Sequence, residues 1–256
     1  MTTARLSQLG EVPLLRADPA LEGAIPPPYH FIAERALRAP ALRLSAGFWE
    51  GRLPETSRHP FAFLILDGFV FDELTCHGVR AAQLLGAEDV LVPQATRDPE
   101  LLVLNQRYRV HDRLVLAVLD DRFRALVRRW PELDDVLRAR LATQLQRSAA
   151  LGAILQLSRV EDRIVALLFQ MAERWGRVTK DGVRVPIRLT HEMLGRLVGA
   201  RRSTVTLALR QLTEDHRLSR GARGSWILRA DGFGSDGVRA GEVAIGDGVS
   251  TASRRE

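Results

Sequence analysis

The chain has 256 residues, 46% of them apolar, and a formal net charge of +6. This length and apolar content leave room for two modest domains with packed cores and exclude global disorder. No apolar run reaches the length of a membrane span. The single cysteine, Cys76, excludes internal disulfides and multi-cysteine zinc or iron–sulfur centres, and the first ten residues hold no hydrophobic signal region, so a cytoplasmic protein is expected.

Residues 1–30 carry scattered apolar residues and the run Pro26-Pro27-Pro28, which predicts an irregular arm. Residues 31–39 predict a short helix stopped by Pro40. From Ala41 to about Leu119, short apolar runs alternate with turn residues: Leu42–Leu44, Phe61–Leu66, Phe69–Leu74, Val90–Val92, Leu101–Leu104 and Leu114–Leu119. Asp67-Gly68, between two β-rich runs, predicts a hairpin turn. Strands at this spacing predict a small antiparallel barrel or sandwich within 31–130.

Helical spacing takes over from Asp120 to about Gln156. From Pro131 onward Leu133, Leu137, Leu141 and Leu145 recur every four residues, and the stripe weakens through Ala149, Gly152 and Leu155. A helix this long, over 131–158, fits pairing with its twin in a second subunit through Leu137, Leu141 and Leu145. Packing on its own barrel is the alternative.

Residues 159–175 predict an amphipathic helix buried through Val160, Ile164, Leu167, Leu168 and Met171. Gly176 and Asp181-Gly182 bracket a turn, and Val183–Leu189 has a strand-like texture. Residues 189–212 then read as two short helices broken at Gly199, the first capped by Thr190. In the second, Val205, Ala208, Leu209 and Leu212 form the apolar stripe, and Ser203, Thr206, Leu207 and Arg210 lie opposite. This is the pattern of a helix-turn-helix. An ordinary helical hairpin is the alternative, but the turn is short and no acid occurs between Ala200 and Leu212. Beyond it, Arg217–Arg220 and Ser225–Leu228 flank a Gly-rich basic tip, so 159–230 predicts a winged helix. Residues 231–256 are rich in Gly, Ser and Asp and predict a disordered tail.

The charge follows this division. Residues 1–158 hold 19 basic and 19 acidic side chains, residues 159–230 hold 15 and 7, and residues 231–256 hold 3 and 5. The excess positive charge sits with the helix-turn-helix, as phosphate neutralisation requires.

The succession of β-rich domain, long helix and winged helix resembles the Crp-Fnr family of bacterial transcription regulators, in the form common in high-GC Gram-positive bacteria. Arg-Val-Glu-Asp-Arg (159–163), Leu-Thr-His-Glu (189–192), Leu-Val-Gly-Ala-Arg-Arg-Ser-Thr-Val (197–205) and Leu-Leu-Gly-Ala-Glu-Asp-Val-Leu (84–91) carry the likeness, which covers roughly residues 34–230. It implies an α+β fold: an N-terminal cyclic-nucleotide-binding-like β-roll (jelly roll), a long dimerisation helix and a C-terminal winged helix-turn-helix. It also implies base reading by Arg202, Ser203 and Leu207, and phosphate contacts from Thr190, His191, Arg201, Thr204, Arg220 and Arg223. Arg202 can fork onto guanine O6 and N7, whereas Leu207 has no hydrogen bond to give. The implied partners are double-stranded DNA and a second copy of the chain, with RNA polymerase and an unidentified small-molecule effector as further candidates. No membrane and no cofactor is implied.

The sequence departs from the family in the barrel. Cyclic-nucleotide binders carry a Gly-Glu segment followed by an Arg-Ala pair that holds the cyclic phosphate. Here Gly86-Ala87-Glu88-Asp89 is followed by no such pair, Arg80-Ala81 stands in the wrong order, and Arg97 lies beside Asp98. Binding of cyclic AMP by the usual mode is therefore not expected. Cys76-His77 offers a redox or haem reading only as an isolated pair. No Gly-x-Ser-x-Gly elbow, phosphate loop, dinucleotide fingerprint or His-Glu-x-x-His occurs, so no enzyme is expected. The alternative function is a ligand-binding or protein-interaction module whose winged helix no longer reads DNA.

Overall fold

The computed structural model describes residues 2–51, 53, 60–92 and 104–229. Arg97, Asp98, the side chain of Arg223 and the tail from 230 onward lie outside the described residues.

The chain opens with β1 (Leu6–Pro13), α1 (Leu14–Ala17), α2 (Pro19–Ala24) and α3 (His30–Ala36). The expected irregular arm is thus built structure over much of its length. β1 pairs antiparallel with β2 (Arg38–Trp49), in register from Leu6 opposite Leu44 to Pro13 opposite Arg38. Pro40 lies within β2 opposite Glu11; the helix before it ends at Ala36. The Asp18 carboxylate caps α2 by accepting from the Ala20 and Leu21 backbone N–H groups, and Pro19 supplies a fixed φ at the first helical position. Leu14, Leu15, Leu21 and Ile25 are then buried in one cluster with Phe123, Trp130 and Leu133.

The main sheet continues with β3 (Ala62–Cys76), β4 (Val79–Leu85), β5 (Val90–Leu91) and β6 (Leu104–Leu119). Its strand order is β1-β2-β6-β3-β4, with β5 also on β3, and these described strands all pair antiparallel. Asp67-Gly68 is not a hairpin. β3 runs through it, with register shifts between Ile65 and Asp67 and between Gly68 and Val70. Gly68 adopts φ +93°, and a Cβ there would lie 2.0 Å from the Arg113 carbonyl oxygen, so the pair bends one long strand over its neighbour. The real hairpin follows at His77-Gly78, both at positive φ, between β3 and β4. Leu44, Trp49, Phe63, Val70, Tyr108 and Leu116 fill the interior of the resulting roll.

α4 (Asp121–Arg129) is capped by Asp120, and α5 (Pro131–Leu155) starts on Pro131. α5 has two working faces. On one, Arg140 pairs with Asp18, Gln144 exchanges two 3.1 Å hydrogen bonds with the Val90 backbone, Arg147 pairs with Asp89, and the Ser148 hydroxyl donates to Gln83 at 2.8 Å. This face binds the helix to its own roll. On the other, Leu141 is 41% and Leu145 71% exposed, followed by exposed Ala149 and Gly152. Leu137 does not join that ridge, because it is 9% exposed and packs in the cluster with Leu133 and Phe123. It is a core residue of its own chain.

The C-terminal unit comprises α6 (Val160–Trp175), β7 (Arg177–Thr179), β8 (Gly182–Val185), α7 (His191–Val198), α8 (Arg202–Glu214), β9 (Leu218–Arg220) and β10 (Trp226–Leu228). The four short strands form one sheet in the order β7-β8-β10-β9, so β10 pairs with β8 as well as with its hairpin partner. Ile164, Leu168, Leu194, Val198, Val205, Leu209 and Trp226 make the core, which also takes in Phe71 and Ala82 from the roll. This architecture is the α+β arrangement anticipated from the sequence: a β-roll, a long helix and a winged helix-turn-helix. No helix among the described residues is long and apolar enough to cross a membrane.

Candidate nucleic-acid interface

The turn between α7 and α8 is set by three residues. The Thr190 hydroxyl accepts the Met193 N–H at 3.2 Å, closing the start of α7. Gly199 ends it in the left-handed conformation at φ +64°. Gly195 lets the second helix approach, since a Cβ there would lie 2.6 Å from the Ala200 carbonyl oxygen. α8 leaves this turn with Val205, Ala208, Leu209 and Leu212 buried. Arg201, Arg202, Ser203, Thr204, Thr206 and Leu207 all face solvent, and Leu207 is 67% exposed. No side chain caps the first turn of α8, so its backbone N–H groups open outward beside the two arginines.

The wing is fixed to this surface through His191. Arg220 Nη2 donates to His191 Nε2 at 3.0 Å. A guanidinium has only hydrogens to give, so Nε2 accepts and the imidazole proton resides on Nδ1. Nδ1 lies 2.9 Å from the Thr206 hydroxyl, which in turn donates to the Arg202 carbonyl at 2.9 Å. Burial, then the neighbouring positive charges of Arg220 and Arg202, hold the His191 pKa below its ordinary value and favour this neutral form. Arg220 also lies 4.2 Å over the Trp226 ring. Wing arginine, first helix and second helix therefore form one bonded chain.

The residues singled out from the sequence thus gather on one surface: Thr190 and His191 at the start of α7, Arg201 to Thr204 and Leu207 on α8, and Arg220 at the wing. Thr206, whose hydroxyl joins His191 to α8, shows in the sequence only as an outer-face residue. The hydroxyl's place on the outward stripe was the available signal; its bond to a histidine 15 residues earlier was not visible in the sequence.

A second set of polar contacts, unforeseen in the sequence, joins this unit to the roll. Asp89, 2% exposed, accepts from Gly86 N–H at 2.8 Å and pairs with Arg147 and with Arg174, the latter at 2.8 Å. Gly86 packs against Trp175, and Trp175 meets Phe69 edge to face at 5.0 Å. Inside the roll, on the side of Val70 and Tyr108, Asp72 accepts from Gln83 at 3.0 Å and Gln106 at 2.6 Å. Desolvation outweighs those bonds and raises its pKa.

Residues 162–233 match the Crp-like helix-turn-helix domain. Over 89 residues the chain is 36% identical to the CRP-like cAMP-activated global transcriptional regulator of Mycobacterium tuberculosis, in strains CDC 1551 / Oshkosh and H37Rv; the match covers 35% of this chain and 40% of each relative. Among solved structures, a CooA mutant from Carboxydothermus hydrogenoformans shares the fold at TM-score 0.60 and 17% identity, over 88% of this chain and 93% of the other. A cyclic nucleotide-binding domain containing protein from Listeria monocytogenes EGD-e does so at TM-score 0.62 and 17% identity, over 82% and 96%. The chain thus carries a Crp-like helix-turn-helix domain over residues 162–233 and shares its overall fold with these two solved structures.

Proposed function

We propose that the protein is a homodimeric, sequence-specific DNA-binding transcription regulator. The observation that carries this reading is the outward face of α8, where Arg202, Ser203 and Leu207 stand exposed at the open helix start while Arg220 is held beside them by His191. In this arrangement α8 enters the major groove and reads bases from its N-terminal end. Arg201, Thr204, Thr190 and Arg220 fix register on the phosphates, with Arg223 at the wing tip as a further contact; His191, expected from the sequence as a phosphate contact, has both ring nitrogens engaged and instead holds Arg220 in place. The open Leu141–Leu145 ridge of α5 pairs with its copy, which sets two such helices on a near-palindromic site.

The roll is proposed not to take cyclic AMP by the usual mode. Its interior sets the Asp72 carboxyl group, bonded by two amides, on the side of Val70 and Tyr108, where a cyclic phosphate would call for a cation. Calorimetry with cyclic AMP at micromolar concentration should give no heat, and saturable binding would refute this part.

The DNA reading is tested by titrating salt against affinity for random-sequence duplexes. About six phosphate contacts per dimer would cost roughly a thousandfold in affinity between 50 and 200 mM salt. Affinity indifferent to salt would overturn the reading and favour an interaction module.

A further inference from the structure

The outward face of α8 narrows the chemistry it can read, and the argument rests on the DNA reading above. Three of its polar groups are already bonded within the chain. Thr206 donates to the Arg202 carbonyl and faces His191 Nδ1–H. Arg210 Nε donates to Glu214 at 2.8 Å, and Gln211 donates to Asp215 at 2.9 Å. Arg202, Ser203, Thr204 and Leu207 remain outward without such a bond among the described residues. Leu207 lies one helical turn beyond Ser203, exposed and flanked by side chains that are tied back to the helix. It can offer only apolar contact. The base edges of the major groove offer donors, acceptors and one apolar group, the thymine C5-methyl.

We propose that Leu207 is a specificity-determining residue that reads a thymine methyl in each half-site. It lies five positions beyond Arg202, a rise of about 7.5 Å or roughly two base-pair steps, so the thymine lies within about three base pairs of a guanine forked by Arg202. Cytosine at the same place presents no methyl for Leu207 to contact.

The test uses the full chain and sites selected from a random duplex pool. Each thymine of a selected site is replaced in turn by deoxyuridine, which removes only the methyl, and affinity is measured by fluorescence anisotropy. One thymine per half-site should matter. Its replacement should weaken binding about fourfold, the worth of one buried methyl-sized group, and roughly fifteenfold when both half-sites are changed. Leu207→Ala, a change at an exposed helix position, should abolish that discrimination while leaving the salt dependence intact. Equal affinity for thymine and uracil at every position, the same discrimination in Leu207→Ala, or selected sites lacking a thymine near the guanine would each overturn the proposal and leave the DNA reading standing. Loss of salt-dependent duplex binding altogether overturns both.

Discussion

Arg196, on the first helix of the helix-turn-helix, donates to Glu73 of the roll at 2.6 Å across 123 positions of sequence. Glu73 is 2% exposed and also lies 2.7 Å from Arg109 and 3.4 Å from Arg107, both of which stack over Phe48. One buried carboxylate thus faces three guanidiniums. Arg196 is shared with Glu192 one turn earlier.

Removing the acid should cost more than removing any one base. Glu73→Gln keeps the shape but leaves three guanidiniums together without their common counter-charge, at a cost of about 3 kcal/mol; their partial exposure keeps this at the low end for a broken buried pair. Arg196→Ala leaves Glu73 paired twice and should cost about 1 kcal/mol. Urea unfolding of the two variants measures both. Equal losses would mean that the bridge to α7, rather than charge balance, is what Glu73 supplies.

His191 makes the wing sensitive to acid. Its native pKa lies below the ordinary 6.5, so beneath that pH the folded chain binds fewer protons than the unfolded one. The stability this group contributes is fully present above 6.5 and is lost as pH falls through 6.5 and on through the native value. Imidazole proton NMR should place the His191 titration below 6.5. Burial is the larger cause and Arg220 the next, so Arg220→Ala should move the titration part of the way back up. An unmoved titration would show that Arg220 and His191 are not bonded in solution.

If the protein dimerises as proposed, the two faces of α5 should separate folding from assembly. Leu145→Asp sets a charge on the open ridge and should yield monomers in analytical ultracentrifugation with unfolding little changed. Leu137→Ala opens a cavity in the chain's own core and should cost about 2–4 kcal/mol while the variant remains dimeric wherever it is folded. Monomeric wild-type protein at all concentrations would remove the basis for a two-fold site.

The C-terminal half was largely legible because its signals are local. Thr190, Gly199 and the stripe Val205–Leu212 each declare themselves within a few residues, and the wing is a contiguous run. The N-terminal half was less so. β1 is an edge strand exposed along most of its length, so its sequence shows no alternation and predicts an irregular arm. Asp67-Gly68 has the composition of a turn but serves a bend within β3, because a bulged glycine and a hairpin glycine both need positive φ. The leucine repeat of α5 gave the helix correctly. It could not show that its first turns are packed under the N-terminal helices, to which Arg140 is joined through Asp18 across 122 residues.

The base-reading and phosphate roles proposed for α8 should separate in two measurements. Arg202→Ala removes the only long cationic donor at the exposed start of the helix beyond Arg201, and should flatten preference at one guanine per half-site by about ten- to a hundredfold. Arg201→Ala should instead weaken all duplexes nearly alike and lower the salt slope by about one per subunit. Both side chains are exposed and neither bears on the core, so thermal unfolding should be unchanged in each. Arg202→Ala weakening every sequence equally would reassign it to the backbone, leaving Ser203 and Leu207 as the only readers on this face.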